Sequence, residues 1–368
     1  MESISLRLCE AITSDCVNVI FCSNKTKNCI KIQELKCYNK YIGGYIMSLI
    51  AGKKVKLFTL NANRELAEEI SKASGIPLSN AKVVKFADGE ISINIEESVR
   101  GNHVFIIQPT STPVNEYVME VLIMCDAVKR ASASSVTVIM PYYGYSRQDR
   151  KAQARQPITA KLIADLLQVA GATRVICIDL HAAQVQGFFN IPIDNFPAAP
   201  MLAKYFIKKK IKNVIVVSPD HGGATRARSF AKLLNCPMAI IDKRRPAPNV
   251  AEVMNIIGDV DGKTCIMLDD IVDTAGTLCI GAEALIKAGA KEVYAAATHP
   301  VLSGNAIEKI NNSVVTKVVV TNTIVIPENK KSDKIVQLSI GPLLGKAILN
   351  IVNDEPISQI FDSIRSAE

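Results

Sequence analysis

Tryptophan is absent from the 368 residues, and aromatic side chains make up only 5% of them. The 48% hydrophobic fraction is therefore filled mainly by Val, Ile, Leu and Ala, a mixture suited to buried parallel strands covered by helices. No run of eighteen apolar residues occurs, so no membrane-spanning segment is expected. The ten cysteines contain no C-x-x-C; Cys9, Cys16, Cys22, Cys29 and Cys37 crowd the first forty residues, and Cys125, Cys177, Cys236, Cys265 and Cys279 fall in apolar, strand-like or helical stretches. That pattern argues for a reduced, cytoplasmic protein and against a disulfide framework. No basic stripe interleaved with aromatics accompanies the net charge of +8, so phosphorylated metabolites are the expected anionic partners and nucleic acid is not. G-x-G-x-x-G and G-x-x-x-x-G-K-[ST] are also missing; the segment from Gly341 to Lys346 is one residue short of the latter and lacks its hydroxyl. A nucleotide would have to be held by something other than a dinucleotide fold or a Walker loop.

The length favours two packed domains over one. Residues 1–52 show neither clean periodicity nor a basic segment followed by an apolar one, which argues against a secretory signal. They are read as an extension of unknown role, with organelle targeting left open. From Lys53 onward, short apolar runs alternate with amphipathic stretches of helical period, the pattern of an α/β fold with mainly parallel, Rossmann-like sheets. Strands are expected at Val104–Gln108, Val136–Met140, Val175–Asp179, Val214–Ser218, Met238–Ile241, Thr264–Leu268, Val293–Ala297 and Val318–Thr321. Helices are expected at Glu65–Ala73, Val118–Lys129 and Thr277–Ala288, the last stopped by Gly289. The stretches around VFIIQ and CIMLD share a layout, which suggests a duplicated domain joined near Phe196–Met201, where Pro197 and Pro200 punctuate the chain. The expected division is 53–198, 199–342 and a C-terminal helix within 343–368 that packs back on the N-terminal domain.

The segment from Lys263 to Thr277, KTCIMLDDIVDTAGT, carries the most chemistry. An apolar strand leads to Asp269 and Asp270, and then Asp273, Thr274, Ala275, Gly276 and Thr277 turn into a helix. Ligands of open α/β sheets bind at the carboxyl ends of strands, and the N–H groups of a helix start bind phosphate. Gly276 permits close approach of the anion, and Thr274 and Thr277 add hydroxyl donors. Carboxylates repel phosphate, so Asp269 and Asp270 must serve another part of the ligand, such as sugar hydroxyls reached directly or through a divalent cation. Helix capping explains an acid or a threonine here, but three carboxylates in five residues exceed what capping needs.

This turn resembles the phosphoribosyl-diphosphate signature. Together with FADGE (Phe86–Glu90), INIEESVRG (Ile93–Gly101), PYYGYSRQDRK (Pro141–Lys151), DLHAAQVQGFF (Asp179–Phe189), SPDHGG (Ser218–Gly223) and IIDKRRPAPNVAEV (Ile240–Val253), it resembles the class I ribose-phosphate diphosphokinases in order and spacing, from about Lys53 to the end. The resemblance implies two tandem phosphoribosyltransferase-type domains, ATP and ribose 5-phosphate as substrates, Mg²⁺ as cofactor and a homo-oligomer, specifically a hexamer. It implies that Phe86, Asp88 and Glu90 hold adenine, facing Arg147 and Gln148 of a neighbouring subunit. It implies that His181 contacts ATP and, with Asp220, holds Mg²⁺, directly or through water. Asp220, Asp269, Asp270 and Asp273–Thr277 would bind ribose 5-phosphate.

The same resemblance makes Lys243 the catalytic residue, with Arg245 as its partner; both lie on a basic loop past a strand, where Pro246 and Pro248 forbid a helix. Diphosphoryl transfer needs in-line positioning and positive charge more than covalent help, and a closing loop supplies that charge while excluding water. Ser98 and Arg100 correspond to a regulatory site for phosphate or ADP, although a surface turn accounts equally well for those residues. Gln153 and Gln156 depart from the family pattern. Two competing readings are a phosphoribosyltransferase, which shares the DDxxDTxGT turn, and a catalytically silent regulatory homologue.

Overall fold

The computed structural model describes residues 38–42, 45–244 and 253–360. In chain order the first half consists of β1 (Tyr38–Ile42), β2 (Tyr45–Ile50), β3 (Lys53–Thr59), α1 (Arg64–Ser74), β4 (Ala81–Lys85), β5 (Ile91–Ile95), β6 (His103–Ile107), α2 (Val114–Arg130), β7 (Ser135–Met140), α3 (Thr159–Ala170), β8 (Arg174–Ile178) and β9 (Ile193–Phe196). The second half consists of α4 (Ala199–Lys209), β10 (Val214–Ser218), α5 (Ala224–Leu233), β11 (Met238–Arg244), β12 (Val253–Ile257), β13 (Thr264–Val272), α6 (Gly276–Lys287), β14 (Glu292–Pro300), α7 (Ala306–Asn312), β15 (Val315–Thr321), β16 (Ile335–Leu338) and α8 (Gly341–Val352).

Two sheets of seven strands result, ordered β1-β2-β3-β6-β7-β8-β9 and β12-β11-β10-β13-β14-β15-β16. The parallel run of the first sheet, β3-β6-β7-β8-β9, and five of the six parallel strands of the second, β10-β13-β14-β15-β16, follow one plan. Within that plan β6 and β7 hold the same places as β13 and β14. The halves differ at their edges: β4 and β5 form a separate antiparallel pair and β2 joins β3 antiparallel, whereas β11 joins β10 parallel and carries β12 antiparallel on the edge of the second sheet. Within the stretch read as an extension, β1 and β2 pair antiparallel with each other and β2 pairs with β3, so strands precede Lys53. Residues 1–37 and 43–44 of that stretch, Cys9 to Cys37 included, lie outside the described residues, as do residues 361–368 of the expected C-terminal segment.

Strands β6, β7, β8, β10, β13 and β15 are buried almost throughout because helices cover both faces. One apolar core is shared by the halves: Leu57, Phe105 and Ile176 of the first sheet, Val216, Ile266 and Val319 of the second, and Leu344 and Ile348 of α8. Phe206 on α4 packs edge-to-face on Phe230 of α5 at 6.3 Å and on Tyr294 of β14 at 6.0 Å between ring centroids. Burial of an aromatic of this size contributes about 1.5–3 kcal/mol.

The C-terminal helix α8 packs on α1 so closely that a Cβ at Gly345 would lie 2.6 Å from Ala73 Cβ. Glu69 of α1 also accepts hydrogen bonds from Asn322 Nδ2 at 2.8 Å and Ser339 Oγ at 2.5 Å. These contacts fix the two sets of carboxyl strand ends relative to each other. Among the described residues no helix is long and apolar enough to cross a membrane, and Cys125, Cys177, Cys236, Cys265 and Cys279 are free thiols.

Candidate active site

Strand β13 runs beyond its apolar segment to Val272, so Asp269 and Asp270 lie within it. The chain then turns through Asp273, Thr274 and Ala275 into α6, and Ala275 makes the turn with φ +58°. A left-handed conformation costs a residue with a Cβ about 1–2 kcal/mol; such strain, where observed, belongs to functional turns. The turn and the start of α6 border a cavity of about 230 Å³, which Asp220, Asp269 and Asp273–Thr277 line. That volume falls below the roughly 300–1,000 Å³ of sites for drug-sized ligands and matches a small metabolite.

A histidine and an arginine meet the acids. His181, on the loop after β8, places Nδ1 2.6 Å from Oδ2 of the buried Asp270. An ionised carboxylate only accepts, so Nδ1 carries the hydrogen and Nε2 is the ring's remaining nitrogen. From α5, Arg226 Nη1 donates to Asp270 Oδ1 at 3.0 Å and approaches Asp269 Oδ1 at 3.3 Å. Burial pushes the Asp269 carboxyl up to about 7, and the adjacent Asp270 carboxylate adds to the effect. Burial also disfavours the charge on Asp270, but His181 and Arg226 outweigh it and hold that carboxyl well below its usual range. In turn, the hydrogen bond to Asp270 raises the His181 imidazole.

The loop that carries His181 is braced from the second half and from the join between the halves. Asp179 Oδ2 accepts from Thr298 Oγ1 at 2.6 Å and from Ala198 N at 3.0 Å. The buried His299 places Nε2 3.1 Å from the Asp179 carbonyl oxygen. Asp220 is exposed at the end of β10, with Oδ1 held by Gly223 N–H at 2.8 Å.

Arg147 lies on the Asp273 carboxylate of its own chain at 2.7 Å, a same-chain partner that the expected role on a neighbouring subunit did not include. Gln148 Oε1 accepts from Thr159 Oγ1 at 2.5 Å. Phe86, Asp88 and Glu90 form the tip of the β4–β5 hairpin, closed by Phe86 N to Glu90 O at 2.8 Å and Glu90 N to Asp88 Oδ1 at 3.1 Å. Phe86 is 54% exposed, so the ordinary expectation that a phenylalanine serves the core fails there. Ser98 is exposed, and the exposed Arg100 donates to Ser132 Oγ at 3.2 Å.

Lys243 lies in β11, backbone opposite Met254 of β12; the strand backbone alone is described there, and Arg245 lies outside the described residues. Beside Lys243, Asp242 Oδ1 lies 2.9 Å from His221 Nε2, which ties the Ser218–Gly223 loop to β11. Arg226 had no signal of its own in the sequence, and His221 and Asp242, though inside quoted motifs, gave no sign that they meet. The nearest hint was that Arg226 follows SPDHGG by three residues.

The residues present suit a hard cation. A histidine whose Nδ1 is held by a buried carboxylate is oriented to ligate through Nε2, and Asp220 offers an exposed carboxylate oxygen at a strand end. Among the described residues no set of three or more His, Cys, Asp or Glu side chains forms a complete metal cage.

Residues 55–171 match the family profile described as the N-terminal domain of ribose phosphate pyrophosphokinase, and residues 243–362 match that of the phosphoribosyl synthetase-associated domain. The chain is 59% identical to the ribose-phosphate pyrophosphokinase of Bacillus cereus over 308 residues, covering 84% of this chain and 97% of the relative. It is 60% identical to that of Bacillus caldolyticus over 309 residues, covering 84% and 98%. The crystal structure of phosphoribosylpyrophosphate synthetase from Mycobacterium smegmatis superposes with a TM-score of 0.78 at 41% identity, covering 82% of this chain and 99% of the other. With sequence and fold agreeing over four-fifths of its length, the chain belongs to the ribose-phosphate pyrophosphokinase family.

Proposed function

We propose that this enzyme transfers the diphosphoryl group of Mg-ATP to O1 of ribose 5-phosphate, giving 5-phosphoribosyl 1-diphosphate and AMP for nucleotide biosynthesis. The observation that carries the reading is the 2.6 Å contact of His181 with Asp270. It joins a residue assigned to ATP with the acidic turn assigned to the sugar phosphate. Ribose 5-phosphate docks its phosphate on the N–H groups and hydroxyls of Asp273–Thr277, and its ring hydroxyls on Asp269 and Asp270. The anomeric O1 then forms a bond to the β-phosphorus of ATP as the bond from that phosphorus to the oxygen of the α-phosphate breaks. AMP departs with that oxygen, and the O1 proton passes to solvent.

Lys243 and Arg245 stabilise the charge on the group in transfer, the largest contribution a protein can make to such a step. Mg²⁺ would be held by His181 and Asp220, where it supplies charge neutralisation for the phosphates of ATP. Adenine is held by Phe86, Asp88 and Glu90, and Arg147 and Gln148 face it from a neighbouring subunit of a homo-oligomer, a hexamer. Ser98 and Arg100 bind a regulatory phosphate or ADP at a subunit interface. Residues 53–198 and 199–342 act as two phosphoribosyltransferase-like domains, and the free thiols suit a cytoplasmic setting.

Purified protein incubated with magnesium, ATP and ribose 5-phosphate and followed by phosphorus NMR tests the reading. AMP and 5-phosphoribosyl 1-diphosphate should appear together. Formation of ADP in place of AMP, or no turnover by pure protein, would sink it.

A further inference from the structure

We infer that Arg226 is a positioning residue for ribose 5-phosphate, acting through the Asp269–Asp270 pair that its guanidinium bridges from α5. This rests on ribose 5-phosphate being the ligand of the acidic turn.

Asp270 is nearly inaccessible, its side chain 4% exposed, and each of its oxygens is taken by a protein group: Oδ1 by Arg226, Oδ2 by His181. Asp269 differs. Its side chain is 44% exposed and lines the cavity, while its Oδ1 is tied by Arg226 and by the Asp270 N–H at 2.8 Å. One guanidinium thus joins a buried anchor to an exposed acid that faces the ligand. Two adjacent carboxylates repel each other, and a buried one left without its counter-charge is strongly unfavourable. A histidine supplies charge only when protonated, so Arg226, always charged, is the permanent counter-ion.

Nothing local explains an arginine at this place. Arg226 is the third residue of α5, the end of a helix where a cation opposes the macrodipole. Yet the helix holds it firmly, because the adjacent Ala227, with Phe230 and Ala231, is buried in the core shared by the halves. A residue that contradicts a local rule on a rigid support marks a functional constraint.

The test compares Arg226→Met and Arg226→Lys with Arg228→Met, an exposed neighbour on the same helix. Steady-state kinetics are read with ribose 5-phosphate and with ATP varied, alongside calorimetric binding of ribose 5-phosphate and thermal melting. Arg226→Met should raise the KM and Kd for ribose 5-phosphate by about 10- to 100-fold, the usual cost of losing an outer-shell partner. The KM for ATP, which Arg226 reaches only through Asp270 and His181, should rise by a clearly smaller factor. Arg226→Lys, which keeps the charge but loses the planar fork, should fall between, and Arg228→Met should behave as the unaltered chain. An unchanged affinity for ribose 5-phosphate in Arg226→Met overturns the assignment, as does a loss that raises both KM values by one factor. Should Arg226→Met fail to fold, Arg226→Lys decides by the same two readings. An unaltered chain that binds ribose 5-phosphate without releasing AMP counts against the diphosphoryl transfer, and the calorimetric comparison still judges Arg226.

Discussion

His181 and Asp270 stand 89 residues apart in the chain and 2.6 Å apart in space, one on the loop after β8 and the other inside β13. The contact crosses the two halves of the protein at the carboxyl ends of both parallel sheets. It therefore couples whatever the first half holds to whatever the acidic turn holds. If that coupling is used in turnover, His181→Ala and Asp270→Asn should not be additive. A double-mutant cycle on kcat/KM should give an interaction of about 0.5–3 kcal/mol, the range for residues in one hydrogen-bonded network. Additive losses would separate the two residues.

Lys243 lies next to the carboxyl end of β11, and the His221–Asp242 contact ties that strand to the Ser218–Gly223 loop. Removing one preorganised donor of positive charge costs about 3–4 kcal/mol of transition-state stabilisation. Lys243→Ala should show that loss mainly in kcat, because the charge matters most when the diphosphoryl group is between its partners. A kcat equal to that of the unaltered enzyme would remove Lys243 from the mechanism.

Much of the scaffold is legible in the sequence for a physical reason. A strand covered by helices on both faces becomes a continuous apolar run, so β6, β7, β8, β10, β13 and β15 stand out. The β4–β5 pair does not, because one face meets solvent: Val84 is 51% exposed, and Phe86 at the tip breaks the habit that large apolar residues are internal. The acidic turn is legible because its residues are consecutive. Arg226 is not, because its two partners lie 43 and 44 residues downstream and meet it only when α5 packs beside β13.

Gly276 opens α6 at the rim of the cavity, and a Cβ there would meet nothing in the protein closer than Thr274 Oγ1 at 3.9 Å. Under the proposed reading that room is where ribose 5-phosphate places its phosphate. Gly276→Ala should leave the melting temperature unchanged or slightly higher, since alanine is the better helix former. The same substitution should raise the KM for ribose 5-phosphate. A lower Tm with an unchanged KM would show that this glycine serves folding.

Gly345 predicts the opposite. It sits inside α8, where helix propensity alone would favour alanine by roughly 1 kcal/mol, but an added Cβ would lie 2.6 Å from Ala73 Cβ and 3.1 Å from the Ala73 carbonyl carbon. The α1–α8 contact would have to open, and overpacking of this kind costs about 1–3 kcal/mol. Gly345→Ala should therefore lower Tm while leaving the KM for ribose 5-phosphate near its original value. A raised Tm would mean that the two helices do not pack this closely.

Asp269 carries a prediction about pH. Its carboxyl is shifted from an ordinary value of 3.8 up to about 7, by burial first and by Asp270 second. Between those two values the folded chain holds a proton that the unfolded chain has released, so stability falls as pH rises through this window. Above about pH 7 both states are ionised and the penalty is complete. The side chain remains 44% accessible, so water softens the effect. Asp269→Asn removes the ionisation altogether, and with it the penalty. Measured without ligands, the Tm of Asp269→Asn relative to the unaltered chain should be higher at pH 8 than at pH 5. A difference that is flat across that range would mean that Arg226 already neutralises Asp269 in the folded protein.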